Sequence, residues 1–442
     1  MSRSRRVDPA PFEAGVLDLA HDGRGVARID GKTTFIADAL PGEWVRASRV
    51  SRRRSHDDAV LVEVLEGAPD RVEPHCPHFG TCGGCSLQHL EPGAQRKAKD
   101  AILHENLQRL GHVAAERRWP PISGPAWGYR RRARLGARKV DKKGRVLVGF
   151  RERRAPLVAD MDSCPVLAGD IGALIPALSR LIGELSIARR VPQIEVAVGD
   201  DRRALVFRVM DPLSPADSIL LDRFGSEHDV DVWIQPGGLE TLQPLREGTP
   251  WPGFRLADFD LEFSFLPTDF VQVNAAINQQ AVSRAVELLE VKPGDRVLDL
   301  FCGLGNFSLA LARRGAQVCG VEGDAGLVER ARANAVRNGL EASFHVANLF
   351  EDCRNASWAQ GPYDSLLLDP PRAGAEASIH LVAALRPARV VYVSCHPGTL
   401  ARDAGILVNE FGYRFSGAGI MDMFPHTAHM ESIALFERDG QA

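Results

Sequence analysis

Short apolar runs punctuated by turn signals occupy the first part of the chain. From Phe12 to about Val72, segments such as GVLDLA, GVARID, TTFIAD, WVRASRV and AVLVEVL alternate with His21-Asp22-Gly23 and Pro41-Gly42. This is the spacing of strands in a small, separate β-barrel. From about 73 to 265 the pattern is mixed: a cysteine-rich loop, a helix predicted from about Pro92 to Leu110, a basic segment, and β-rich sequence interrupted by a helix near 170–188. From 266 to 442, strands alternate with helices: RVLDLFC, a helix after Gly305, AQVCGVEG, a helix around 325–338, ASFHVAN, YDSLLLDPP, a further helix, then RVVYVSC. Such alternation predicts a parallel, doubly wound α/β sheet. The expected organisation is an arm over 1–11, a β-barrel over 12–72, an α+β middle domain over 73–265 and an α/β domain over 266–442. No internal repeat is present.

Length and composition agree with several domains. The 442 residues exceed what one core usually serves, and 45% hydrophobic with 25% charged residues is an ordinary globular balance. No apolar run reaches membrane-spanning length, so no membrane partner is expected. The basic start, MSRSRRVDPAPFEAG, lacks the apolar core of a secretory signal and reads as a flexible arm of a cytoplasmic protein. Eight cysteines suit that compartment as thiols or metal ligands. The net charge of -3 hides a local imbalance: between Trp119 and Arg154 there are twelve Lys or Arg against Asp141 and Glu152. Arg130 to Arg132, Arg134, Arg138, Lys139, Lys142, Lys143 and Arg145 are therefore expected on phosphates, with a second basic rim at Arg46, Arg49 and Arg52 to Arg54 of the barrel.

The chemistry concentrates at predicted strand ends. Val297 to Leu300 runs into Phe301-Cys302-Gly303-Leu304-Gly305-Asn306, a glycine turn at the carboxyl end of a strand, where open α/β sheets bind ligands. Gly303 and Gly305 let a cofactor approach the backbone, and the third glycine of a pyrophosphate loop is missing. The next strand ends at Glu322, whose carboxylate can accept from both hydroxyls of an adenosine ribose. The following two end at Asn348 and at Asp369-Pro370-Pro371. Four successive polar or glycine strand ends suit a nucleoside cofactor.

DPPR at Asp369 to Arg372 resembles the D-P-P-aromatic signature of amino-group methyltransferases, but Arg372 replaces the aromatic that would stack on a base. The next strand delivers Ser394-Cys395-His396-Pro397 beside the predicted cofactor. A thiolate there solves the problem of methylating C5 of a pyrimidine: addition of Cys395 sulfur to C6 creates an enolate that makes C5 nucleophilic. A base must then remove the C5 proton, and Glu431 in Thr427-Ala428-His429-Met430-Glu431-Ser432 is the candidate, with His429 a weaker one. Asp369 suits either a hydrogen bond from uracil N3–H or a cofactor contact. Arg372 suits stabilisation of the enolate at O4. Cys302 and Cys319 read as inert buried thiols.

Cys76, Cys82 and Cys85 form C-x5-C-x2-C among glycines, and Cys164 follows in Asp162-Ser163-Cys164-Pro165. Four thiolates accept either tetrahedral zinc or a [4Fe-4S] cube. The spacing is not the C-x3-C-x2-C triplet that leaves one iron open, which favours a structural centre.

Together the four cysteines, Phe270-Val271-Gln272-Val273-Asn274, DLFCGLGNF, DPPR, SCHPGTLARD and HTAHMES resemble the RNA uracil-5-methyltransferases. More narrowly, they resemble bacterial 23S rRNA (uracil-5-)-methyltransferases with an N-terminal TRAM domain and a [4Fe-4S] cluster, over nearly the whole chain from Phe12. The resemblance implies a Rossmann-like class I S-adenosylmethionine methyltransferase domain, an OB-like TRAM barrel for RNA, and an iron-sulfur cluster rather than zinc on Cys76, Cys82, Cys85 and Cys164. It implies that Gln272, Phe301, Asn306, Glu322, Asn348 and Asp369 line the S-adenosylmethionine pocket, with Cys395 the nucleophile and Glu431 the base. The implied partner is 23S rRNA, with the target an unpaired or loop uracil able to leave its stack. No obligate protein partner is evident. A tRNA uracil-5-methyltransferase is the alternative within this chemistry, disfavoured because the resemblance implies that members acting on tRNA generally lack both the TRAM barrel and the cysteine cluster. A non-catalytic RNA-binding assembly factor is the alternative outside it, disfavoured by the presence of both Cys395 and Glu431.

Overall fold

The computed structural model describes residues 10–438. Of the arm expected over 1–11, all but Ala10 and Pro11 lies outside the described residues. The chain divides into two compact units: one of residues up to 102 with 151–157 and 424–429, the other of 103–150, 158–423 and 430 onward.

The first unit carries a six-stranded sheet in the order Phe12–Gly15, Trp44–Arg52, His56–Glu66, Lys32–Ala37, Gly25–Ile29, Asp18–Leu19. All pairs are antiparallel except Lys32–Ala37 with His56–Glu66. Asp30 and Gly31 both take positive φ, 51° and 78°, which is the two-residue hairpin turn whose twist matches its flanking strands. Ala14, Val16, Ala27, Ile36, Val45, Ala47 and Ala59 point to one core, and Phe12–Gly15 also touches Gly25–Ile29, so the sheet curls on itself. The basic rim is partly neutralised within the sheet. Arg46 pairs with Glu13 and Glu63, Arg49 and Arg52 approach Asp57, and Arg53 approaches Asp58.

In the second unit an eight-stranded sheet runs in the order Ser343–Val346, Gln317–Glu322, Arg296–Leu300, Ser365–Leu368, Arg389–Ser394, Glu431–Glu437, Arg414–Met421, Arg117–Arg118. The first five strands are mutually parallel, as the alternating pattern predicts. Their central members are continuous apolar runs because helices cover both faces. Glu431–Glu437 then runs antiparallel to both of its neighbours. The strand order reverses between Arg296–Leu300 and Ser365–Leu368, which opens a crevice at their carboxyl ends. Helices leave the strand ends with side-chain caps: Asn274 accepts from Ile277 N–H, Asp324 from Leu327 N–H and His396 from Thr399 N–H.

A second six-stranded sheet in this unit orders Gln243–Pro244, Asp231–Gln235, Arg203–Arg208, Gln193–Val198, Arg132–Val140 and Arg145–Gly149. It absorbs much of the basic segment. Arg131 pairs with Asp200, Arg132 and Arg134 with Glu195, and Lys143 and Arg145 with Asp160. These charges, expected on phosphates, are satisfied within the fold, whereas Arg138 and Lys142 are exposed. The helix expected near 170–188 forms as a short 3-10 turn, Ile171–Leu174, continued by Ile175–Glu184, and that expected from Pro92 to Leu110 forms as Pro92–Arg109. Among the described residues no helix is long and apolar enough to cross a membrane.

Candidate active site

The glycine turn after Arg296–Leu300 is built on positive φ at Phe301, Gly303 and Gly305, 65°, 55° and 91°. A Cβ at Gly303 would meet nothing within 4 Å, so the turn faces open space. The backbone N–H groups of Phe301 and Cys302 both donate to the Val321 carbonyl, at 2.9 and 3.1 Å, tying the turn to the neighbouring strand. That strand ends at Glu322, whose carboxylate accepts from Gly303 N–H at 3.1 Å, Gly323 N–H at 2.6 Å and Asp324 N–H at 3.1 Å. Asn306 exchanges two hydrogen bonds with Asn278, 3.0 and 2.9 Å. Asn278 in turn lines a small cavity with Gln272, Val271, Phe265 and Arg131.

Asn348 follows the strand Ser343–Val346 and is exposed, donating to Glu351 at 2.7 Å. Two residues on, the Phe350 ring lies 5.8 Å from that of Phe301. Phe301, Gly303, Gly305, Asn306 and Glu322 thus share one corner of the sheet. Gln272 is connected to it through Asn278, while Asn348 and Asp369 end the neighbouring strands. Sequence reasoning missed Asn278, four residues beyond the Asn274 cap on helix Ala275–Leu289, and Asp299. The signal for Asp299 was a carboxylate inside the apolar run VLDLF. It is fully buried, its Oδ2 accepts from Ser308, and its Oδ1 has no hydrogen-bond partner among the described residues.

Cys395 and Glu431 lie at the same edge. The antiparallel register pairs Ser394 with Ser432, so Cys395 and Glu431 each stand one residue beyond that pair, on the same side. Asp369 follows the adjoining parallel strand, its N–H on the Leu300 carbonyl at 3.2 Å. Burial dominates the protonation of this group, because removing water disfavours charge. It pushes Asp369 up to about 8, reinforced by the negative charges of Asp299 and Glu322. Glu431, also pushed up to about 8, is raised further by Asp369 and lowered by Arg372. Asp299 rises to about 7 by burial, with Ser308 opposing. The Cys395 thiol rises to about 12 through burial, then Glu431 and Asp369, while Arg372 pulls it down. The edge therefore disfavours added negative charge and favours a cation or a proton donor.

The buried thiols Cys302 and Cys319 are raised by desolvation, as their reading as inert core residues requires. His429, the weaker base candidate, belongs to the first unit, is exposed and sets its ring edge-on to Phe424 at 5.8 Å. All eight cysteines are thiols. Cys76, Cys82 and Cys85 belong to the first unit, on a loop tied by Gly83 N–H to the Arg151 carbonyl and by Cys76 N–H to Gln88, and Cys164 belongs to the second. Among the described residues no group of three or more His, Cys, Asp or Glu side chains is drawn together as a metal site.

A glycine turn and acidic strand ends at the reversal point of this sheet define the S-adenosylmethionine-dependent methyltransferase fold. Comparison with known proteins narrows the class. The family described as tRNA (Uracil-5-)-methyltransferase matches residues 253–439, and the TRAM domain matches 12–48. The 23S rRNA (uracil(1939)-C(5))-methyltransferase RlmD of Xanthomonas axonopodis pv. citri is 53% identical over 448 residues, covering 99% of this chain and 100% of that protein. RlmD of Alkalilimnicola ehrlichii is 52% identical over 445 residues, covering 99% of each. The crystal structure of Pyrococcus abyssi tRNA (uracil-54, C5)-methyltransferase in complex with S-adenosyl-L-homocysteine matches with a TM-score of 0.74 and 26% identity, covering 96% of this chain and 100% of that one. The chain belongs to the RlmD family of RNA (uracil-C5)-methyltransferases.

Proposed function

We propose that the chain transfers a methyl group from S-adenosylmethionine to C5 of a uracil in 23S rRNA, giving 5-methyluridine, through a covalent Cys395–C6 adduct. The carrying observation is the placement of Cys395 and Glu431 one residue beyond a shared strand pair, next to the Asp369 strand end. The residues present fit the cofactor: open space over Gly303, a buried Asp299 oxygen without a hydrogen-bond partner among the described residues, and acids raised first by burial and then by one another's charge all favour a positively charged guest. When bound, S-adenosylmethionine supplies an electrophilic methyl group on a sulfonium. Gln272, Phe301, Gly303, Gly305, Asn306, Glu322, Asn348 and Asp369 are the residues assigned to hold it.

Cys395 attacks as the thiolate, its thiol proton having passed to solvent, and its sulfur forms a bond to C6. The C5=C6 π pair moves toward C4–O4, where the Arg372 charge, which also favours the thiolate, offsets the enolate. C5 would bond to the methyl carbon as that carbon's bond to the sulfonium sulfur breaks, with S-adenosylhomocysteine as the leaving group. Glu431 removes the C5 proton, the C5=C6 bond re-forms, and the sulfur leaves as thiolate.

The substrate assignment rests on the full-length similarity to the RlmD relatives. The set of domains alone does not separate ribosomal from transfer RNA, because the Pyrococcus tRNA enzyme matches 96% of the chain. Residues 12–72 are assigned as the RNA-binding barrel, 73–265 as the middle domain and 266–442 as the methyltransferase domain. Action on ribosomal RNA places the protein in the cytoplasm. Purified chain incubated with 23S rRNA, tRNA and labelled S-adenosylmethionine should yield 5-methyluridine in the ribosomal RNA. Transfer undiminished in Cys395→Ala would end the covalent mechanism.

Cys76, Cys82, Cys85 and Cys164 are assigned to a structural [4Fe-4S] cluster. Its support is the donor set, four thiols outside any disulfide and three of them on one glycine-rich loop, together with the resemblance described above. Anaerobically purified protein should contain both iron and acid-labile sulfide, and zinc alone would refute the assignment.

A further inference from the structure

Behind the DPPR strand end a buried carboxylate pairs with a half-exposed arginine and has a defined set of partners. Asp403, on helix Pro397–Asn409, is fully buried. Its Oδ2 accepts from the Tyr392 hydroxyl at 2.6 Å and from Ala375 N–H at 2.8 Å, and its Oδ1 takes Arg402 Nε at 2.8 Å and Nη2 at 2.7 Å. Arg402 also donates to the Ala373 carbonyl at 3.2 Å and pairs with Glu376 at 3.1 Å. Tyr392, also fully buried, stands three residues before Cys395 on the strand that delivers it.

One carboxylate therefore joins three pieces of the proposed reaction centre: the strand leading to Cys395, the helix leaving it, and the segment 373–376 that follows Arg372. Between them the chain closes a turn, with Gly374 N–H on the Pro371 carbonyl at 2.9 Å. Gly374 has φ of +81°, and a Cβ there would lie 2.6 Å from Arg402 Nη2 and 2.9 Å from Asp403 Oδ2. The turn fits only because residue 374 has no side chain. Arg372 is thereby fixed on both sides, by Asp369 N–H on the sheet before it and by the Arg402–Asp403 pair after it.

We infer that Asp403, with Tyr392 and Arg402, is a positioning residue: it locks the Pro371–Ala375 turn so that Arg372 stands over the uracil that Cys395 attacks. This rests on the uracil-C5 reading given above. A salt bridge placed only for stability would tie helix to strand; this one places two of its hydrogen bonds on the backbone of the turn.

The test uses the full chain with Tyr392→Phe, Gly374→Ala, Asp403→Asn and Asp403→Ala. At saturating RNA and S-adenosylmethionine, kcat should fall by about tenfold or more in Tyr392→Phe and Gly374→Ala, with KM for S-adenosylmethionine within about twofold of wild type, the signature of an interaction used in the chemical step. Asp403→Asn, which keeps an acceptor oxygen, should recover part of what Asp403→Ala loses. Hydrogen exchange of the 372–376 amides should quicken about tenfold while 389–394 keeps its protection, a readout independent of any activity. If the Asp403 variants do not fold, Tyr392→Phe, which loses one hydroxyl, carries the test. Wild-type kcat in both Tyr392→Phe and Gly374→Ala, or raised KM with kcat unchanged, would overturn the inference. A wild-type chain that methylates no uracil would instead overturn the function and the positioning role together, with the exchange result still reporting whether the clamp holds the turn.

Discussion

At the scale of single residues, the acids at the sheet edge set both pH dependence and stability. Glu431 works as a base only when ionised, and burial pushes its pKa up to about 8. Turnover should therefore rise with pH through about 8 as Glu431 ionises, and keep rising beyond it because burial holds the Cys395 thiol up to about 12. In Glu431→Gln the C5 proton has no acceptor, so methylated RNA covalently attached to Cys395 should accumulate, visible as a slow band in a denaturing gel that thiol reagents do not release. A turnover equal to wild type would exclude Glu431 as the base. Asp299 gives the complementary case. Its folded pKa of about 7 exceeds its ordinary 3.8, so the protonated form is favoured in the fold; that contribution is full below about pH 4 and is lost as pH rises to 7. Asp299→Asn should thus melt above wild type at pH 8, by no more than about 4 kcal/mol, with the difference vanishing toward pH 4. The same change removes a buried negative charge that favours a cationic cofactor, so KM for S-adenosylmethionine should rise about tenfold or more, roughly the 1.5–3 kcal/mol of a charged hydrogen bond. A KM unchanged in Asp299→Asn would separate this residue from the cofactor.

At the scale of elements, what the sequence discloses follows from periodicity. The central strands Arg296–Leu300, Gln317–Glu322, Ser365–Leu368 and Arg389–Ser394 are largely buried on both faces and read as apolar runs with Asp299 the one charge inside them, so their order of appearance and their parallel sense were legible, and with them the strand ends that carry Glu322, Asp369 and Cys395. The antiparallel insertion of Glu431–Glu437 between Arg389–Ser394 and Arg414–Met421 is a matter of long-range pairing, which local pattern does not encode. Glu431 was reached by its chemistry; its position beside Cys395 came only with the register. The basic segment shows the opposite limit. Charge counts along Arg130 to Arg145 could not reveal that Glu195, Asp200 and Asp160, distant in sequence, pair with most of it. Replacing exposed Arg138 and Lys142 with alanine should weaken RNA binding and lower the salt slope by about 0.7–0.9 for each phosphate no longer neutralised, leaving the melting temperature nearly unchanged. Arg132→Ala should act mainly on stability, costing about 1–3 kcal/mol, because the Val196 and Pro267 carbonyls lose their donor while Glu195 keeps Arg134. A melting temperature unmoved in Arg132→Ala would count against that division.

At the scale of the whole molecule, two facts about RNA have to be reconciled. The chain is slightly acidic overall, and a tRNA-modifying enzyme matches almost its full length. Net charge therefore supplies no general attraction to nucleic acid, and the shared architecture supplies no choice between RNAs. Selectivity has to come from local contacts and from the ease with which a particular uracil leaves its stack. A uracil in a loop gives up less stacking and pairing than one in a helix, a difference of a few kcal/mol, and each 1.4 kcal/mol is about tenfold in rate at limiting substrate. A fragment of 23S rRNA with its target in a loop should therefore be methylated with kcat/KM about 100-fold above tRNA. Pairing the loop with a complementary oligonucleotide should bring it down toward the tRNA value, at unchanged KM for S-adenosylmethionine. Competition between the two RNAs for labelled methyl groups measures the ratio directly. Equal labelling of both would show that the domain set, shared with the tRNA enzyme, governs recognition after all, and would move the substrate from 23S rRNA to exposed uracils in general.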